Sequence, residues 1–297
     1  PNCLGILSPS VGLNASFAHL APARGGMALV AQSGAIATAA LDWADARGVG
    51  FSRIVTLGDT ADVDFGDMLD FLALDEETSA IMLYVESISD ARKFMSAGRL
   101  AARSKPVVVI KAGRSAAGAR AAFSHTGAMA GADAVYDAAF RRAGMLRVLD
   151  IRDVFDTVSL LTTAPRIAGE RLAILTNGGG AGVLAADAVA DEGLDLPGLG
   201  PDTLAALDRA LPATWSRANP VDLIGDAGPE RYAAAVTAVM ADPQIDALLV
   251  MNCPTAVADS SEAADGVIAA LGRIPDRKPV LTAWLGETTA APARRRL

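Results

Sequence analysis

One stretch of this chain occurs twice. Ala28-Leu29-Val30-Ala31-Gln32-Ser33-Gly34-Ala35 lines up with Ala173-Ile174-Leu175-Thr176-Asn177-Gly178-Gly179-Gly180, and without a gap Gly48 then falls on Gly193. Further on, Lys105-Pro106-Val107-Val108 parallels Lys278-Pro279-Val280-Leu281, and each copy reaches a glycine at the same step, Gly113 and Gly286. A repeat of this length means that one folding pattern is built twice. Within each copy, apolar runs alternate with segments of helical period. Residues 27–32, 53–58, 80–85 and 106–110 read as strands, and 35–46, 64–74 and 91–102 as helices; the second copy restarts with a strand at 172–175. Apolar strands separated by helices specify a mainly parallel sheet with helices on both faces. The expected fold is α/β, as two tandem flavodoxin-like domains.

The pattern breaks over 162–169, which contains Pro165 and Gly169. The boundary is placed there, giving a first domain at 1–165 and a second at 166–297, in line with a length prior of about two domains for 297 residues. The first domain has extra length, and that length holds Ser124-His125-Thr126-Gly127-Ala128-Met129-Ala130-Gly131. His125 is expected on a loop between a strand and a helix, where α/β proteins place their chemistry. Small residues let a backbone approach a phosphate, and an imidazole nitrogen accepts a phosphoryl group. A histidine that only fills a loop satisfies position alone equally well.

Each copy also has a Gly-rich turn from its first strand into its first helix: Gln32-Ser33-Gly34-Ala35, and Asn177-Gly178-Gly179-Gly180. Such a turn leaves N–H groups free and aims the positive end of a helix dipole at an anion. Alone it is a weak sign, since tight geometry explains glycine there too. Two in matched positions suggest a phosphate held by two helix ends. Neither is a P-loop, because no Gly-Lys-Ser/Thr follows. Glu86 ends a strand and so belongs at the carboxyl edge of its sheet, where a carboxylate orients an imidazole; a solvated glutamate is the plainer account. Asp59, Asp62, Asp64 and the run Asn219-Pro220-Val221-Asp222 position ligands or cap helices. His19 and Cys253 are read as structural.

Several classes are excluded. A net charge of −8 argues against nucleic acid as a partner. No apolar run reaches membrane-spanning length. Two histidines and two isolated cysteines build no zinc site, and the cysteines give no disulfide framework, which fits a reducing compartment and hence the cytoplasm.

Taken together, Ser124-His125-Thr126-Gly127-Ala128, Pro1-Asn2-Cys3-Leu4-Gly5, Gln32-Ser33-Gly34 and Asn219-Pro220-Val221-Asp222 resemble the nucleoside-diphosphate-forming acyl-CoA synthetases, relatives of succinyl-CoA synthetase. The resemblance covers nearly the whole chain. It implies two flavodoxin-like ligase domains and a phosphohistidine relay that interconverts acyl-CoA, ADP and phosphate with acid, CoA and ATP through an acyl phosphate. By resemblance His125 is the phosphorylated residue and Glu86 the carboxylate that holds its ring. Ser33, Gly34, Ala35 and Gly178, Gly179, Gly180 match the two helix starts that cradle the phosphohistidine, and Asn2 and Cys3 lie near the reactive end of CoA. The implied cofactors are CoA and ATP or ADP with Mg, bound mainly by a CoA-binding domain and an ATP-grasp domain on the same or a partner chain. Neither domain is in this sequence, so the chain is expected to be a piece of a larger oligomeric enzyme acting on a small carboxylic acid or its acyl-CoA. Two alternatives stand beside this. One is an acyl-CoA synthetase-like regulatory region of a protein lysine acetyltransferase. The other is a flavin or nucleotide module, for which three Trp and three Tyr are few.

Overall fold

A computed structural model describes residues 3–126, 131–164 and 167–297; Asn2, Gly127–Ala130 and Pro165 lie outside the described residues. The chain divides into two compact units, Pro1–Thr163 and Ala164–Leu297.

The first unit opens with strands β1 (Gly5–Ser8) and β2 (Leu13–Ser16), joined by a 3-10 turn at Pro9–Val11. Then follow β3 (Arg24–Ala31), α1 (Gly34–Arg47), β4 (Phe51–Thr56), α2 (Phe65–Leu74), β5 (Ala80–Val85), α3 (Ala91–Ser104), β6 (Val107–Lys111), α4 (Ala116–Thr126), α5 (Asp133–Ala143), β7 (Leu146–Val148) and α6 (Ile151–Thr163). The sheet order is β2-β1-β4-β3-β5-β6-β7, and β3 to β7 run parallel. Numbered along the chain, those parallel strands lie in the order 2-1-3-4-5, the flavodoxin winding. The apolar run of β3 has a simple cause. Its alternate residues feed two cores: Ala28 and Val30 pack with Phe65, Leu69, Phe94 and Phe140, while Met27, Leu29 and Ala31 pack with Leu41, Ile54, Val154 and Phe155. A strand buried on both faces has no solvent side to make polar.

The second unit contains β8 (Leu172–Thr176), α7 (Gly179–Asp191), α8 (Pro201–Ala210), β9 (Val221–Asp222), α9 (Pro229–Met240), β10 (Ala247–Asn252), α10 (Ser260–Leu271), β11 (Val280–Trp284) and α11 (Ala291–Arg294). Its sheet order β11-β10-β8-β9, all parallel, reads 2-1-3-4 along the chain from the other edge. The repeat seen in the sequence is thus a repeat of winding, and it extends to backbone detail. Gly48 and Gly193 both adopt the left-handed conformation after the first helix, with φ of 66° and 76°. The paired lysines have paired duties. Lys105 donates to the carbonyls of Leu72 and Asp75 at the end of α2, and Lys278 to that of Asp242 just past α9. Each places a cation where a helix presents its negative end.

Two features depart from the sequence reading. The β1–β2 hairpin precedes the first strand expected at 27; it is held by distant pairing, Ile6 with Val55 and Leu7 with Ile54, which no local period announces. And His125 does not sit on a loop: it lies in the last turn of α4. The run Ala116-Ala117-Gly118-Ala119-Arg120-Ala121-Ala122 is rich in alanine, the strongest helix former, and that propensity outweighs the loop suggested by small residues.

Candidate functional site

In a doubly wound sheet, ligands bind beyond the carboxyl ends of the strands where the winding reverses. In the first unit that point lies between β3 and β5, which pair from Met27–Ala80 to Ala31–Tyr84. Beyond β3 the chain runs through Gln32 and Ser33 into α1. Ser33 caps the helix, its hydroxyl accepting from Ile36 N at 3.4 Å. Gly34 tucks beneath Leu4, whose Cβ would stand 3.3 Å from any Cβ added there. A cleft of about 440 Å³ fronts this turn, lined by Cys3, Phe17, Ser33, Gly34, Ala35 and Thr38 among others. Beyond β5 come Glu86 and Ser87. The link between the two strand ends is Gln32, a buried side chain. Its carboxamide oxygen accepts from Glu86 N at 2.6 Å and Ser87 N at 3.0 Å, and its NH2 donates to Ser87 Oγ at 3.4 Å. Ser33, Gly34, Ala35 and Glu86 therefore share one sheet edge, tied through a residue that the sequence reading quoted only as part of the turn.

The next strand contributes charge. Val85 pairs with Lys111 at the end of β6, and Ala112 N donates to Val85 O at 2.9 Å. Lys111 is buried, donates to the carbonyl of Ala112, and holds its ammonium 4.5 Å from the centre of the Tyr136 ring. Burial pushes its pKa down; the carboxylates of Asp133 and Glu86 pull it back up, and Arg147 adds to the fall. Tyr84 is pushed up, by burial first and by the charge of Glu86 second. Arg147, whose side chain is buried, bonds Asp133 at 2.5 Å and Asp137 at 3.2 Å, while its Nε has no hydrogen-bond partner among the described residues. These two cations fix the start of α5. His125 thus lies in the last turn of α4, and a firmly held α5 begins at Asp133, with Gly127–Ala130 outside the described residues. Asn2 is outside them too.

The second unit repeats the arrangement with other residues. Asn177, matched to Gln32, accepts from Cys253 N at 2.7 Å and donates to Cys253 O at 2.9 Å. Gly178 begins α7 with no side-chain cap, and Gly180 has open space where a side chain would stand. A Cβ on Gly178 would lie 2.5 Å from Cys253 Sγ, and one on Gly179 3.2 Å from an oxygen of Asp222. Asp222 is thus a carboxylate already placed at this helix start. Burial pushes the Cys253 thiol up. Of the other polar residues noted in the sequence, Asp64 caps α2 in a reciprocal box with Asp67. Asn219 stitches β8, accepting from Ile174 N at 3.0 Å and donating to Leu172 O at 2.8 Å. His19 stands 4.0 Å from Asp42 with both side chains exposed. Among the described residues no three His, Cys, Asp or Glu side chains are grouped to hold a metal ion.

Two successive doubly wound units, each with a glycine-rich helix start at its switch point, are the build of an α/β ligase pair. Residues 24–161 match the succinyl-CoA ligase like flavodoxin domain, and residues 172–291 the ligase-CoA domain. The chain belongs to the succinyl-CoA ligase family and carries two of its domains in succession. Among its relatives, the ADP-forming acetate–CoA ligase I alpha subunit of Pyrococcus furiosus is 40% identical, over 99% of this chain and 63% of that protein. The ADP-forming acetate–CoA ligase I of Archaeoglobus fulgidus is 44% identical, over 90% of this chain and 39% of its own length. Among solved structures, the dinucleotide-forming acetyl-coenzyme A synthetase 1 of Ca. Korarchaeum cryptofilum, in complex with phosphate and ADP, superposes with a TM-score of 0.93 at 38% identity, covering 100% of this chain and 64% of that one. The chain spans less than two thirds of the length of each.

Proposed function

We propose that this chain carries the phosphohistidine step of an acyl-CoA synthetase that interconverts acyl-CoA, phosphate and ADP with acid, CoA and ATP. The observation that supports it most is the switch point of the first unit. There Glu86 is held at the carboxyl edge of the sheet by Gln32, one strand from the β6–α4 connection that leads to His125. In the direction that consumes acyl-CoA, a phosphate oxygen attacks the thioester carbonyl, the C–S bond breaks, CoA leaves as the thiol, and an acyl phosphate remains. An imidazole nitrogen of His125 attacks its phosphorus; the bond to the acyl oxygen breaks, the acid departs, and the phosphoryl group stays on the ring. An oxygen of the ADP β-phosphate then attacks the same phosphorus, imidazole leaves, and ATP forms. Glu86 accepts the proton-bearing side of the ring, fixing the tautomer and keeping the other nitrogen a nucleophile. The helix start at Ser33–Ala35 offers N–H groups and a positive dipole end to the phosphoryl oxygens, and the helix start at Gly178–Gly180 is assigned to a phosphate oxygen on the same principle within its own unit. Asn2 and Cys3 are assigned to the approach of the CoA thiol.

Mg bound to the nucleotide supplies charge neutralisation at its phosphates. With no metal-ligand group among the described residues, the ion, the nucleotide and the body of CoA are assigned to CoA-binding and ATP-grasp domains on the same or a partner chain. We place this oligomeric assembly in the cytoplasm, in keeping with cysteines that form no disulfide. None of the helices among the described residues is long and apolar enough to cross a membrane. The relatives are named as ligases, which does not favour the acetyltransferase-regulator alternative. The test is labelling of the complete protein with γ-labelled Mg-ATP. An acid-labile phosphoryl group on His125, absent from His125→Ala and discharged by CoA with one acid of a tested series, is the expected result. A folded, complete wild-type protein that takes up no label refutes the proposal.

A further inference from the structure

We infer that Gln32 is a positioning residue for phosphoryl transfer, acting through Glu86; the inference rests on the reading of Glu86 as the partner of the His125 ring. Beyond Val85 the chain leaves the sheet, so the N–H groups of Glu86 and Ser87 have no neighbouring strand to bond. Both converge on the one oxygen of the Gln32 carboxamide, at 2.6 and 3.0 Å. The shared acceptor is a neutral side chain rather than a backbone carbonyl of a further strand. Gln32 is also bonded through its own N–H to Tyr84 O at 3.2 Å. One buried residue thus grips the end of β5 on both sides of Val85 and sets the backbone direction from which the Glu86 carboxylate leaves.

The second unit separates the fold's need from the chemistry's need. There Asn177 bonds the matched strand end with one donor and one acceptor, both to Cys253, as an ordinary extension of the sheet ladder. Gln32 is longer by one methylene and uses its oxygen twice, on consecutive residues. The fold asks only for an amide at this position. The doubled acceptor occurs in the unit whose held residue is a carboxylate. A carboxylate that orients an imidazole must keep the ring within a fraction of an ångström of its line of attack, and a misplacement of about 1 Å costs on the order of a hundredfold in rate.

The experiment measures single-turnover phosphorylation of His125 by Mg-ATP in the complete enzyme assembled with its ATP-grasp module. Gln32→Met keeps the length and removes the acceptor; the expected loss is about tenfold to a hundredfold in rate. Gln32→Glu keeps an acceptor for both N–H groups, and its rate returns to within a few-fold of wild type. In a Glu86→Gln background, Gln32→Met produces no further loss, because the two act on one step. Gln32→Asn, too short to reach both N–H groups, stands in if the Met variant does not fold. Wild-type rates in Gln32→Met, or a full additional loss in the Glu86→Gln background, overturn the inference while leaving the phosphohistidine reading intact. Absence of label in the wild type removes that reading, and this inference with it.

Discussion

Gly178 carries a prediction that can be worked from distances. A methyl group added there lies 2.5 Å from Cys253 Sγ, where ordinary contacts begin at 3.4 Å. Neither side can yield easily. Cys253 is pinned at both N and O by Asn177, while Gly178 is pinned through its N–H to Thr176 Oγ1 at 3.0 Å and through its carbonyl to Gly182 N at 3.1 Å. The sulfur must swing away by rotating about its Cα–Cβ bond, or the turn must open. Overpacking of this kind costs about 1–3 kcal/mol. Against it, alanine restricts the unfolded chain by about 0.4–1 kcal/mol at a compatible conformation, which φ of −120° and ψ of 103° is. Gly178→Ala should therefore destabilise the second unit by about 1–2 kcal/mol. In a Cys253→Ala background the nearest atom becomes the 253 Cβ at 3.1 Å, tight by a few tenths of an ångström, so most of the cost disappears. Urea unfolding followed by tryptophan fluorescence reads this directly, because Trp215 and Trp284 are both buried in the second unit. An equal cost of Gly178→Ala in the two backgrounds refutes the assignment of the clash to sulfur.

Two further outcomes follow from the first unit. Asp64→Ala removes the acceptor for Gly66 N at 2.7 Å and Asp67 N at 3.1 Å at the start of α2, and should cost about 0.5–2 kcal/mol, read as a lower thermal midpoint; an unchanged midpoint contradicts the cap. Lys111 has a folded-state pKa below its unfolded value of 10.5, because burial disfavours the ammonium. The unfolded chain then binds more protons between those two values, so stability rises with pH across that window and the penalty is present in full below it. Lys111→Met lacks this increment. The stability of wild type relative to the variant should climb as pH approaches 10.5, and parallel pH curves for the two proteins would sink the assignment.

Much of the architecture was legible because its causes are local or periodic. Strand β5 spans the expected 80–85, since an apolar run bounded by polar residues is a strand buried on both faces. The alignment of Gln32 with Asn177 located both strand-to-helix turns, and the strand-end position of Glu86 put it at the carboxyl edge of its sheet. Part of what escaped has non-local causes. The hairpin is held by pairing with β4, Ile6 with Val55 and Leu7 with Ile54, far apart along the chain. The helix holding His125 is masked because the small residues of 124–131 suggest a loop, while the alanines that drive the helix lie before them, at 116–122. The clamp made by Gln32 had a signal that went unused: a carboxamide ends a buried strand in both copies, where an uncompensated polar group would be costly.

The hairpin also bears on how this unit is handled as a molecule. The family's domain pattern starts at residue 24, and a boundary drawn there looks natural from the parallel strands alone. Yet β4 would then become the outer strand, with the backbone groups now met by β1 at Ile54 and Val55 left bare. The cut would also strip Leu4 and Leu7 from the core. A bare, β-branched, half-apolar edge is a template for pairing with another copy. The residues before 24 thus serve as a selvage for the sheet, and a recombinant unit trimmed to the family boundary trades a tidy border for a sticky one.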